Sequence, residues 1–362
     1  MSISPHLWLA LSPHGYGHAA MTAPLVAELR RRRPGLRLTI QTALPRSFLE
    51  TRYGSFEHVP HIPDIGFRMN SAVSVDVDSS AAFYRNLHAN FPAVVAAETA
   101  RLQAAQPDLV LANVPYVTIA AAAAANIPVV AYSSINWADM VENYLGSRPE
   151  CAAILAEIRD SYAKAQVFLR ATPAQPMTLP NVRDIGLVSR KGAVRGGEIR
   201  ERLGLGQGDR LGLIAFGGID HRLPLDRWPQ LDGWFWLSSL DHTPRPDMAP
   251  WQAAGVPFAD LLASVNVVVT KPGYGTFSEV GLSGVPVLYE PRPDWPESQP
   301  LEKWLSRHTR CLSTTASELA SDKLPLLLQT LFSQVVPDVA VATGIDEGVD
   351  VLEAVLDAYI RS

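Results

Sequence analysis

Cysteine is nearly absent from this sequence: Cys151 and Cys311 are the only two in 362 residues. Two thiols so far apart in sequence build neither a disulfide framework nor a zinc site, and they fit a reducing compartment. Long apolar runs are missing as well. The longest, the Ala-rich stretch 119–125, falls far short of the roughly 20 residues that span a bilayer. No basic segment followed by an apolar stretch and a cleavage site stands at the start, so a secretory leader is not expected and the cytoplasm is the expected location. Excess positive charge is lacking too. A net charge of −5 argues against a nucleic-acid partner, because phosphate binding needs a basic field. The one basic run, residues 30–33, ends a predicted helix and there complements the dipole rather than marking a membrane-surface patch.

What is present is a globular composition, 47% hydrophobic and 19% charged, on a chain long enough for two domains of about 150–200 residues. Short apolar runs at 7–11, 36–41, 109–112, 128–132 and 167–170 read as buried parallel strands. Helical patterns at 19–33, 79–105 and 115–125 separate them. The second half repeats the scheme, with strands expected at 211–216, 234–238, 266–270 and 285–289. Helices are expected there near 196–204, 258–264, 275–283, 297–308 and 315–332. This alternation predicts an α/β fold of two doubly wound, Rossmann-like domains. The Pro- and Thr-rich stretch 171–182 is the expected linker, giving domains at 1–175 and 182–345. A last helix near 346–360, within the segment 346–362, is a candidate to cross back onto the first domain. Residues 60–80 read as a long irregular loop.

Two glycine-rich turns carry the chemistry. The first strand runs into Ser12-Pro13-His14-Gly15-Tyr16-Gly17-His18 and then a helix. A strand, such a turn and a helix N-terminus together present backbone N–H groups to a polar ligand. Gly15-x-Gly17-x-x-Ala20 matches a dinucleotide fingerprint formally, but the next strand ends Thr39-Ile40-Gln41-Thr42 with no acid for the ribose, so a nicotinamide cofactor is not expected. The positive helix end disfavours a charged imidazole, which makes His18 a candidate general base, with a helix-capping role as its bland alternative. His14 is as readily a loop-fixing group as an acceptor contact. The pair His14 and His18 straddles the turn rather than one helical face and makes a weak metal site.

The second turn is Lys271-Pro272-Gly273-Tyr274-Gly275-Thr276, followed by a helix opening Phe277-Ser278-Glu279. Gly273 and Gly275 let the backbone close on phosphate oxygens, the helix N-terminus offers N–H donors, Thr276 adds a hydroxyl and Lys271 a positive charge. No Gly-Lys-Ser/Thr follows, so this is not a triphosphatase loop. Glu279 has acceptor capacity for both hydroxyls of a ribose, or it is an ordinary acid near the helix start.

Together HGYGH and KPGYGTFSE resemble the glycosyltransferases of the GT-B fold, among them the peptidoglycan-precursor N-acetylglucosamine transferase and the UDP-glycosyltransferases. The sequence is more similar still to the glycosyltransferase-like domain preceding the kinase in plant arabinokinases. That likeness runs through SPHGYGHA, SSINWADM, RDIGLVSRKG, LGLIAFGG, KPGYGTFSEVGLSGVPVLYEPR and WPESQPLEKWL. The resemblance implies two Rossmann-like domains facing a cleft, acceptor on the first and nucleotide sugar on the second. It implies His18 as base or acceptor contact, with His14, Gly15 and Gly17 beside the acceptor or sugar. It also implies Lys271, Gly273, Tyr274, Gly275 and Thr276 with Gly217 and Gly218 around the diphosphate, Glu279 on the ribose, and Glu297 and Gln299 near the sugar. The implied donor is a nucleotide-diphosphate sugar, a UDP-sugar first, and the acceptor a small or lipid-linked molecule. The transfer would be inverting, with no metal and no cofactor.

Two features depart from that pattern. Where UDP-glycosyltransferases pair the histidine with an aspartate, this chain reads Leu111-Ala112-Asn113, and Asp139 is an unplaced substitute. After Gly217-Gly218 it continues Ile219-Asp220-His221 in place of small polar residues. Asp76-Val77-Asp78 looks like a metal-binding pair but reads as solvated loop acids. Sugar-nucleotide epimerisation or hydrolysis, and non-catalytic binding, are the alternative functions.

Overall fold

The computed structural model describes residues 4–217, 221, 223–239, 241 and 243–360. Strands β1 (His6–Leu11), β2 (Arg37–Gln41) and β3 (Glu57–Val59) open the chain, and a short hairpin, β4 (Met69–Ser71) and β5 (Ser74–Val75), follows. The first half continues with β6 (Leu109–Asn113), β7 (Val129–Ser133), β8 (Val167–Ala171) and β9 (Val182–Ile185). The second half holds β10 (Arg210–Ile214), β11 (Trp234–Ser238), β12 (Met248–Pro250), β13 (Val267–Thr270), β14 (Val287–Tyr289) and β15 (Cys311–Ser313).

Helices alternate with these strands. In the first half they are α1 (Gly17–Arg32), α2 (Arg46–Tyr53), α3 (Val77–His88), α4 (Phe91–Ala105), α5 (Tyr116–Ala124), α6 (Trp137–Leu145) and α7 (Cys151–Ala163). The second half has α8 (Gly196–Leu203), α9 (Phe258–Leu262), α10 (Tyr274–Ser283), α11 (Ser298–Leu305), α12 (Ala316–Leu319) and α13 (Leu324–Ser333). A final helix, α14 (Gly344–Ile360), follows.

Two parallel sheets result, ordered β3-β2-β1-β6-β7-β8-β9 and β12-β11-β10-β13-β14-β15. Each runs outward in both directions from its first strand, the winding of a Rossmann sheet. Each therefore has a switch point, between β1 and β6 and between β10 and β13, where the carboxyl ends of neighbouring strands leave room for a ligand. Every residue of β1, β6 and β7 is buried, as expected of strands covered by helices on both faces. Each fully buried Leu or Val among them contributes about 1.5–3 kcal/mol.

The chain divides into two units. The first takes the chain up to Arg68, then Val75–Val188 and the segment from Thr343 onward; the second takes Met69–Ser74 and Ser189–Ala342. The stretch 171–182, expected as linker, instead joins β8 to β9 of the same sheet, with Phe168 in register with Val182. Strand β9 was not legible because it is four residues long with two exposed polar side chains in its middle. Helix α14 belongs to the first unit and meets α1. Arg32 reaches Asp346, Asp350 and Glu353, and Arg33 reaches Glu353 and Asp357. The basic run thus has specific acidic partners besides the dipole of its own helix.

Within the second unit, Ala72 from the hairpin joins a core of Phe216, Trp228, Trp236, Val267, Val269 and Leu288. Gly212 in β10 makes room there, since a Cβ on it would fall 2.3 Å from the Trp236 ring. The tryptophans at 228 and 236 meet edge to face at 5.0 Å. Asp76 caps α3 by accepting from the Ser79 N–H at 3.0 Å, and Asp78 pairs with Arg148.

Candidate active site

In the first unit, β1 ends at Leu11, in register with Asn113 at the end of β6. The chain then turns through Gly15, whose φ of +80° is left-handed backbone that glycine takes at no steric cost. Gly15 N–H donates to the Pro13 carbonyl at 2.7 Å, His14 N–H to Ser12 Oγ at 3.3 Å, and α1 begins at Gly17. His18 therefore sits in the first turn of α1, beside the switch point.

The His18 side chain is buried, and its Nδ1 lies 2.7 Å from Oδ1 of Asn113. An amide oxygen only accepts, so Nδ1 carries the hydrogen and the neutral ring keeps its lone pair on Nε2. Burial pushes His18 down to about 4, with Asn113 pulling weakly the other way. The imidazole is neutral throughout the physiological range. Asn113 thus occupies the place where a carboxylate partner was sought. Asp139 is committed elsewhere, accepting from Asn136 Nδ2 at 2.6 Å and Thr178 Oγ1 at 2.6 Å. Trp137, fully buried, walls the group, its ring centroid 5.6 Å from His14 and 5.9 Å from His18. Gly66 lies against that indole, for a Cβ there would come within 2.5 Å of Cζ2. The His14 and His18 rings are 6.5 Å apart, edge to face.

In the second unit, β13 ends at Thr270 and α10 starts at Tyr274, with Gly273 as its N-cap. Its N-cap residue is a glycine with no side chain of its own, and no acid stands in its first turn, so the positive helix end carries no opposing charge from that turn. Lys271 turns back over it, Nζ lying 3.8 Å from where a Gly273 Cβ would stand. Burial and the charge of Arg292 push Lys271 down to about 7, against the pull of Glu297. The Tyr274 side chain is buried, so this residue offers the turn its backbone. Gly275, Thr276 and Glu279 are half-buried along the first turns of α10, and Gly217, exposed with φ +84°, follows β10 on the other side of the switch point. Gly218 lies outside the described residues.

Glu297 is buried at the start of α11 and accepts from Trp295 Nε1 at 3.4 Å, whereas Gln299 is exposed. The Arg292 guanidinium lies over the Trp295 ring at 4.1 Å. The structure thus gathers Lys271, Gly273 and Glu297 at one strand end, and His14, Gly15, Gly17 and His18 at the other unit's. Sequence reasoning missed Arg292 and Trp137; it placed Asn113 at the position of the histidine's partner through the resemblance, without the hydrogen bond. Arg292 was within reach, standing just past a strand end with Glu297 downstream. The Asn113 contact depends on strand register across 95 residues.

No family model matches the chain. Among curated proteins it is similar to the L-arabinokinase of Arabidopsis thaliana, 23% identical over 317 residues, covering 85% of this chain and 30% of that protein. The chain thus spans about a third of the relative's length. Among solved structures it is similar to Arabidopsis thaliana UGT89C1 complexed with UDP, with TM-score 0.60, 13% identity and coverage of 97% and 99% of the two chains. It is likewise similar to Acinetobacter baumannii MurG, with TM-score 0.55, 15% identity and coverage of 97% and 99%. A Listeria monocytogenes protein assigned as a UDP-N-acetylglucosamine 2-epimerase gives TM-score 0.56, 14% identity and coverage of 99% and 98%. With its two Rossmann-like units and these structural neighbours, the chain has the GT-B fold.

Proposed function

We propose that this protein transfers a sugar from a nucleotide-diphosphate donor to an acceptor hydroxyl or amine. The observation that carries the reading is the glycine-opened N-terminus of α10, without an acid in its first turn, with Lys271 folded over Gly273. A helix end and a lysine form a preorganised positive site for a leaving diphosphate, the task a divalent metal performs in other transferases. Glu279, on the same helix, is the candidate for the ribose, and Glu297 and Gln299 for the sugar. The UDP bound to UGT89C1 favours uridine as the base.

On the acceptor side His18 is the base. The acceptor oxygen or nitrogen attacks the anomeric carbon as its bond to the diphosphate oxygen breaks. The electron pair leaves with the diphosphate, and the acceptor proton goes to Nε2. Attack opposite the leaving group inverts the anomeric centre. His14, Gly15 and Gly17 would line the acceptor.

Thermal melting with UDP-, GDP-, CDP- and dTDP-sugars tests the reading. A donor at 100 times its Kd stabilises by roughly 2.7 kcal/mol. At least one compound should raise the melting temperature, and no shift with any of them would overturn the assignment. Epimerisation is the second reading, favoured by the Listeria neighbour. Product analysis separates the two: an altered sugar released without acceptor would establish it.

A further inference from the structure

His18 is oriented by its hydrogen bond to Asn113, and a base held in that way is only as well placed as its partner. Asn113 ends β6, where its carbonyl accepts from the Ser12 N–H at 2.8 Å. Val114 and Pro115 beyond it belong to neither strand nor helix, and α5 begins only at Tyr116. Other elements must therefore fix this stretch. Two fully buried titratable side chains that sugar transfer leaves unused do so: Asp64, from the irregular loop after β3, and Tyr162, on α7.

Pro115 stands at the N-cap of α5 and supplies no side-chain cap. Asp64 provides the acceptor instead. Its Oδ2 accepts from the Tyr116 N–H at 2.6 Å and from the Val117 N–H at 3.3 Å. Burial pushes this carboxyl up to about 7, against the pull of those two N–H groups. Whether ionised or protonated on Oδ1, the group keeps Oδ2 as an acceptor. Gly66, in the same loop, lies against the Trp137 indole. Tyr162 closes the circuit, for its hydroxyl donates to the Val114 carbonyl at 2.7 Å and accepts from the Trp137 N–H at 3.1 Å. Burial pushes that hydroxyl well above its usual range, so it retains the hydrogen that it donates. The residue next to Asn113 is thus tied to Trp137, and the start of α5 to the loop that packs on the same indole. Trp137 in turn walls His18.

We propose that Asp64 and Tyr162 are positioning residues for the base. They hold the 113–117 segment and Trp137 in one arrangement, which keeps Asn113 Oδ1 on Nδ1 of His18 and leaves Nε2 for the acceptor proton. This rests on the reading of His18 as base. Being fully buried, both residues act through Asn113 and Trp137 rather than on the substrate. Their effect on rate can still be large, because a misplacement of about 1 Å at a reacting group can cost about 10²-fold.

The test reads the His18 tautomer in the whole protein by long-range proton–nitrogen NMR, with kcat and donor affinity measured alongside on a nucleotide sugar found to bind. Wild type should show predominantly the Nδ1–H tautomer. Y162F and D64A should each move the ratio toward Nε2–H by about threefold or more, as expected when one hydrogen bond is weakened. They should also lower kcat about tenfold or more with donor affinity unchanged. D64N, whose amide oxygen still accepts from both N–H groups, should keep the wild-type tautomer and most of the rate. Y84F removes a buried hydroxyl that makes no hydrogen bond and should change neither readout. An unaltered tautomer in Y162F, or in a folded D64A, would overturn the proposal. So would a D64N that behaves like D64A, or a Y84F that shifts the tautomer as far as Y162F does. A fall in kcat without a tautomer change would indicate a general loss of packing and would overturn it too. The tautomer is read without substrate, so the brace can fail while the base stands. If H18A keeps full turnover, the base reading itself fails and the positioning role falls with it.

Discussion

A histidine whose partner is an amide is held in one tautomer without being given charge. His18 meets that condition: Asn113 takes the Nδ1 hydrogen, and burial keeps the ring neutral down to about pH 4. A depressed value means that His18 stays deprotonated as the pH falls from 8 to 5, so the acid limb of kcat/KM should not come from this residue in that range. N113D places a carboxylate at 2.7 Å, stabilises imidazolium and raises the His18 value. The acid limb of the kcat/KM profile should then move upward into the range pH 5–7. A profile unchanged by N113D would show that His18 does not titrate in the rate-determining step.

At the scale of the element, two contacts decide how the units hold together internally. In β10, Gly212 leaves the space that the Trp236 ring fills, and Trp228 blocks that ring's retreat. G212A should cost about 1–3 kcal/mol in urea unfolding through overpacking, whereas G208A, with nothing within 4 Å, should be near neutral. In the first unit, R32A removes the ion pairs to Asp346, Asp350 and Glu353 on α14. The expected loss is about 1 kcal/mol at low salt, smaller in 1 M salt because these groups are partly solvated. A salt-independent loss would point to packing of the Arg32 stem instead. Both features were beyond sequence reading. The glycine follows from which face of β11 meets β10, and the ion pairs from a helix returning over 300 residues later.

For the whole molecule, the alternation of apolar strands and helices was enough to read two doubly wound sheets, because buried parallel strands are continuous runs such as LWLAL and VVVT. Short edge strands, β12 and β15, were illegible at three residues each. The helical pattern at 79–105 is two helices, α3 and α4, since Pro92 near the start of α4 begins a new helix after Asn90. The glycine turns were legible for a related reason: their spacing between strand and helix is local. The contact that orients His18, its hydrogen bond to Asn113, is set by strand order and register, which no local pattern carries. The central claim is that one unit supplies the base and the other the donor site. The most direct measurement is turnover of a nucleotide sugar found to bind, compared between wild type and H18A with donor affinity measured alongside. The account predicts a fall in kcat of about 10²-fold or more with donor affinity unchanged; equal turnover in the two proteins would contradict it.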